Sequence, residues 1–125
     1  MDFNLAPDIQ KQIKTIVKSI NLTHLNPKQI VCFRSQGSKA RARARIWSLP
    51  RIWQMALNVK AHYCIEVISE KYDHLKEDDR NRILIHELMH IPKNFSGALL
   101  PHRNRGTDIN NRNIEVLFRL FKKTQ

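Results

Sequence analysis

Cysteine, long apolar runs and, over half the chain, acidic residues are what this 125-residue sequence lacks. Its two cysteines, Cys32 and Cys64, belong to no close pair. That pattern speaks against a disulfide-stapled scaffold or a cysteine-based zinc cluster, and reduced, separately buried thiols are expected. No apolar stretch approaches the length of a bilayer span, and Met1 to Pro7 carries neither a basic leader nor a signal segment. A protein that is cytoplasmic or otherwise intracellular, with no membrane partner, is the expectation. There is no internal repeat and no low-complexity tract, and the length suits one domain, residues 1–125.

Acid is missing altogether from Ile9 through Ile65, where eleven lysines and arginines lie, and the whole chain has a formal charge of +11. That half can carry a positive surface field. Within it, Ala40–Trp47 alternates with a period of two. As a strand it would line Ala40, Ala42, Ala44 and Ile46 on one face and Arg41, Arg43 and Arg45 on the other. Such an arginine row could contact phosphate, so a nucleic-acid partner is carried as one expectation and a plain solvated face as another.

The elements alternate in type. Pro7–Ile20 has the 3.6-residue period of an amphipathic helix. Gln29–Arg34 and His62–Ser69 read as strands, the latter with Tyr63, Ile65 and Val67 on one side and Cys64, Glu66 and Ile68 on the other. An exposed edge of that strand could pair with an extended peptide. The stretch after Pro50, Trp53–Leu57, is expected as a short strand or a packed loop. A second helix should start near Asp73, a candidate N-cap, and stop by Pro92, and a third should run from Asp108 or Ile109 to Lys122.

The middle helix holds His86-Glu87-Leu88-Met89-His90. Four residues apart on a helix, His86 and His90 share a face and can bind one metal ion, with Glu87 beside them. Zinc takes imidazole nitrogen at about 2.0–2.1 Å and at catalytic sites leaves a position for water, whose proton a nearby carboxylate can take. The apolar surroundings, Ile83 to Ile91, would make an unpaired ionizable cluster costly. The bland alternative is a surface helix with two neutral, hydrogen-bonded histidines. For a third ligand His102 comes first, because Pro92 and Gly97 let the chain leave the helix and return; Glu115 and Asp108 are the alternatives. His24 and His74 are expected in turns. His62, Tyr63, Arg103 and Arg105 are the candidate oxyanion stabilisers.

Taken together, His86–Pro92, Phe95-Ser96-Gly97 and Pro101-His102 resemble the small zinc metallopeptidases of phages and archaea, related in general plan to SprT-like zincins. The resemblance runs from about Gln29 through His102. It implies Zn2+ held by His86, His90 and His102, Glu87 as catalytic base, and a peptide or protein substrate. It also implies an α+β, small zincin-like domain with a short mixed or antiparallel sheet packed against the metal-binding helix. The longer metzincin pattern is absent, since Lys93 and Ser96 stand where it needs glycine and histidine. A catalytically weak, metal-stabilised nucleic-acid-binding protein using Arg41, Arg43 and Arg45 is the alternative function.

Overall fold

A computed structural model describes residues 1–125. The fold is α+β: a four-stranded mixed sheet and five helices. The strands are β1 (Asp2–Leu5), β2 (Ile30–Gln36), β3 (Ala44–Ser48) and β4 (Tyr63–Ile68), in the spatial order β1-β2-β4-β3. The central pair β2–β4 is parallel, and both outer pairs are antiparallel. The helices are α1 (Pro7–Ser19), α2 (Arg51–Leu57), α3 (Ser69–Tyr72), α4 (Glu77–Met89) and α5 (Asn111–Lys123).

α1 begins with Pro7, whose missing amide hydrogen costs nothing in a first turn. Its apolar stripe of Ile9, Ile13, Ile16 and Val17 is buried. By area, burying these four side chains is worth about 6–12 kcal/mol before chain entropy is subtracted. One polar side chain fixes how α1 meets the sheet. Gln10 donates to the Ile30 and Pro27 carbonyls at 2.6 and 3.1 Å and accepts from the Cys32 amide at 3.0 Å.

The strand pairing determines which residues share a face, because partners across a ladder point the same way. Cys32, Ile65 and Ile46 are aligned, as are Arg34, Val67 and Ala44. This face, with Ile30 and Tyr63, meets Ile13, Ile16, Leu84 and Leu88 in the core. Cys64 pairs with Val31 and so lies on the opposite face from Cys32, and both thiols are free. On that second face Phe3, Leu5 and Trp47 are half exposed or more. Glu66 is nevertheless only 1 % exposed there, held by Trp47 Nε1 at 3.0 Å and Arg45 at 3.2 Å.

α4 starts with three acids, Glu77, Asp78 and Asp79, which suit the positive end of the helix dipole. α5 is capped by the Asn110 side chain, which accepts from the Asn113 amide at 2.9 Å. Ile114, Phe118 and Phe121 of α5 are buried, and the Arg82 guanidinium from α4 lies over the Phe118 ring, 4.1 Å from its centroid.

Several expectations need correction. β1 was not anticipated: four residues with two apolar positions carry too little periodicity to register. Trp53–Leu57 is part of helix α2, neither strand nor loop. The arginine-alanine strand begins only at Ala44, because Ala44 pairs with Val67 and β4 ends at Ile68, so residues 40–42 have nothing left to pair with. Asp73 does not cap α4. It closes the short helix α3, and Arg34 Nε binds its carboxylate at 3.1 Å; Lys76 occupies the N-cap. β4 has no free edge, since β2 and β3 flank it; the edge strand beside it is β3.

Candidate metal centre

α4 ends one turn after it presents His86, and His90 is its C-cap in helical conformation. The two imidazoles therefore stack on one side, with ring centroids 5.2 Å apart. The chain then turns at Pro92 and returns. Its return is clamped to the end of the helix twice: the Leu100 amide donates to the His90 carbonyl at 2.7 Å, and the Leu100 carbonyl lies 2.6 Å from His90 Nδ1. Two residues later His102 closes the group, its ring centroid 5.3 Å from that of His86 and 4.8 Å from that of His90.

One ligand atom from each of His86, His90 and His102 lies within 4.8 Å of the others. The His86 and His102 Nε2 atoms are 3.1 Å apart. Two nitrogens held at bonding distance by one tetrahedral zinc would be about 3.4 Å apart, so a small adjustment suffices. A carbonyl can only accept, so His90 Nδ1 carries the proton and its Nε2 keeps a lone pair for a metal. Burial pushes the His86 pKa down to about 4, with His90 and His102 adding to the shift. Burial also lowers His90, against the opposing pull of the Leu100 carbonyl. Neutral imidazole is the metal-binding form. The donor set fits a borderline-soft divalent cation.

Glu87 is 6 % exposed, and burial raises its carboxyl to about 7. Its carboxylate lies 3.7 Å from His86 Nδ1, too far for a hydrogen bond. Beside His86 and Glu87 opens a cleft of about 430 Å3, bordered by Ala42, Arg43 and Ala44 ahead of and within edge strand β3 and by Asn111 and Ile114 of α5.

Residues 1–123 match the family model described as "Putative phage metallopeptidase". The chain belongs to this phage metallopeptidase family. No curated protein and no solved structure matches it. Membership in a metallopeptidase family implies a metal, and the group His86, His90 and His102 is where this member could hold one.

The remaining singled-out residues are dispersed. His24 and His74 lie outside the group. Glu115 is taken by Arg82 at 2.9 Å, and Asp108 accepts from the Asn104 amide at 3.2 Å. His62 Nδ1 is 2.7 Å from the Lys60 carbonyl. The buried Tyr63 hydroxyl is engaged on both sides, accepting from the Gly97 amide and donating to the Ala98 carbonyl, each at 2.9 Å. Arg103 and Arg105 are exposed on the return loop beside His102. Arg41 and Arg43 are exposed, whereas Arg45 pairs with Glu66 and lies over Trp47, 5.1 Å from the ring centroid.

One residue that positions the site was overlooked in the sequence. Gln54 of α2 donates to the Leu49 and Ser96 carbonyls at 2.8 and 3.0 Å, and so ties α2 to the return loop. The available signal was a lone amide inside Ile52-Trp53-Gln54-Met55-Ala56-Leu57. A polar group inside an apolar segment is retained when it has partners.

Proposed function

We propose that residues 1–125 form one zinc-dependent peptidase domain that hydrolyses peptide bonds with Glu87 as general base. The observation that carries this reading is the convergence of three imidazoles, those of His86, His90 and His102, next to a buried carboxylate that none of them engages. His86, His90 and His102 would hold the ion. When bound, it supplies a Lewis acid that acidifies a water molecule and polarises the scissile carbonyl.

The chain's own groups do the rest. Glu87 takes the proton of the attacking water and returns it to the leaving amine, which makes the amine a competent leaving group. The Leu100 carbonyl holds the His90 ring in the tautomer that points Nε2 inward. Arg103 or Arg105, exposed beside His102, supplies positive charge to the developing oxyanion. Substrate backbone would run along the edge of β3, whose outer side has no strand partner, with a side chain entering the cleft next to Glu87.

The test uses purified protein with zinc, with cobalt and with no added metal on unfolded proteins and peptide libraries. Glu87→Gln keeps the side-chain shape and removes the base, so metal binding and fold should persist while turnover collapses. Equal turnover by the two proteins would sink the mechanism. His102→Ala should lower metal stoichiometry or affinity more than His24→Ala or His74→Ala does.

A further inference from the structure

α2 is a seven-residue helix that faces the body of the protein through one buried residue, Gln54. Around it Ile52, Trp53, Met55, Leu57 and the following Val59 are all exposed, Ile52 by 73 % and Met55 by 71 %. At 100° per residue, positions 52, 53, 55 and 57 sweep an arc of about 200° centred opposite Gln54. A contiguous apolar projection of this kind on a small domain marks a contact surface. Cations border it. Arg51 and Lys60 are exposed at its two ends, and Lys28 rises at the same end of the sheet, because Ile30 and Ser48 both pair with Tyr63. No acidic residue occurs between Ile9 and Ile65.

We propose that α2 is a membrane-surface anchor: its tip enters the headgroup layer of an anionic lipid bilayer while Arg51, Lys60 and Lys28 meet lipid phosphates. Three features favour this occupant. The apolar arc is wider than one face of a helix, so a protein groove would leave part of it wet, whereas the interfacial layer surrounds it. A second copy would set Arg51 and Lys60 of one chain against the same cations of the other, and the segment Ile9–Ile65 that carries them has no acidic residue of its own to pair with them. Of the five exposed apolar residues only Trp53 offers nucleic-acid bases a stacking face, and the aliphatic side chains around it suit lipid rather than bases.

Seven helical residues rise about 10 Å, which suits insertion at the interface but not passage across a bilayer. No helix of the protein is long and apolar enough to cross a membrane. The surface role therefore departs from the sequence-based expectation of no membrane partner while leaving the absence of a spanning helix intact. It does not depend on the peptidase reading.

The experiment is co-sedimentation of the full chain with vesicles of phosphatidylcholine alone or with about 30 % phosphatidylglycerol, across a salt series. Binding to the anionic vesicles should weaken as salt rises, with a blue shift of tryptophan emission that Trp53→Phe removes. Ile52→Ser with Met55→Ser should reduce partitioning by about tenfold or more. Both side chains are exposed, so the melting temperature should not move. Arg51→Gln with Lys60→Gln should weaken binding to anionic vesicles alone.

Absence of binding to anionic vesicles would overturn the proposal. So would binding indifferent to the Ile52 and Met55 changes, which would be plain basic adsorption. A concentration-dependent dimer, or a single-stranded oligonucleotide complex, abolished by those same changes would also overturn it and assign the surface to another occupant.

Discussion

Replacing Tyr63 by phenylalanine removes one oxygen that joins the sheet to the return loop. The ring stays, with its edge-on contact to Phe95 at a centroid distance of 5.1 Å. Two hydrogen bonds go: the Gly97 amide loses its acceptor and the Ala98 carbonyl its donor. Ala98 is exposed, so water replaces the hydroxyl there at little cost. Gly97 is buried, and an amide left without a partner costs about 1–3 kcal/mol. For a domain of this size that corresponds to a fall in melting temperature of roughly 4–12 °C. Burial raises the Tyr63 pKa against the lowering effect of the Gly97 amide, so the phenol stays protonated and both bonds persist across neutral pH.

The same loop delivers the Leu100 carbonyl to His90 and then His102 to the group. Loosening it should weaken metal binding by about tenfold, the usual scale for a group that orients a ligand rather than binding the ion. Calorimetric melting of the metal-free protein and a competitive zinc titration would separate the two effects. A melting temperature unchanged to within about 1 °C would refute the reasoning.

Gly97→Ala should be more damaging than Tyr63→Phe in the same assays. Gly97 has φ of +95°, and an added Cβ would collide with Gln54 Nε2 and come within 2.8 Å of the Leu49 carbonyl. Arg34→Met removes a guanidinium that bridges Asp8 and Asp73. Asp8 is mostly exposed, so the loss at neutral pH should be only about 1 kcal/mol. The hydrogen bond to Arg34 lowers the folded-state pKa of Asp8, so this stabilisation is complete above the unfolded carboxylate value, about 4, and fades as pH falls further; urea unfolding from pH 7 to 2.5 should show the two proteins converging. Arg45→Ala should cost about 1–3 kcal/mol by taking the one cation from buried Glu66 and leaving it the Trp47 indole, while Arg41→Ala and Arg43→Ala should be near neutral in chemical denaturation. Burial pushes the Cys32 thiol up to about 12 and also raises Cys64, so neither should react quickly with a disulfide reagent at pH 8 until the protein unfolds.

The periodic elements were legible in the residues alone. α1 and the two central strands follow from their apolar spacing, and the period of two puts Tyr63, Ile65 and Val67 on one face of β4, the face that the fold then buries in its core. Histidines four apart on a helix must share a face, so the sequence alone pairs His86 with His90. Their third companion was a ranking among His102, Glu115 and Asp108, because loop spacing limits reach and leaves direction open.

Tertiary structure decided what local pattern could not. Arg41, Arg43 and Arg45 share a period in sequence, yet only Arg45 lies in a strand, because the length of β4 sets how much of that segment finds a ladder partner. Tyr63 and Gln54 became loop fasteners through contacts with residues about 34 and 42 positions away, separations at which no periodicity operates. Local chemistry thus selected the helix and its two imidazoles. Long-range hydrogen bonds, satisfied only when sheet, α2 and return loop meet, fixed where His102 lies and which groups are left to face Glu87.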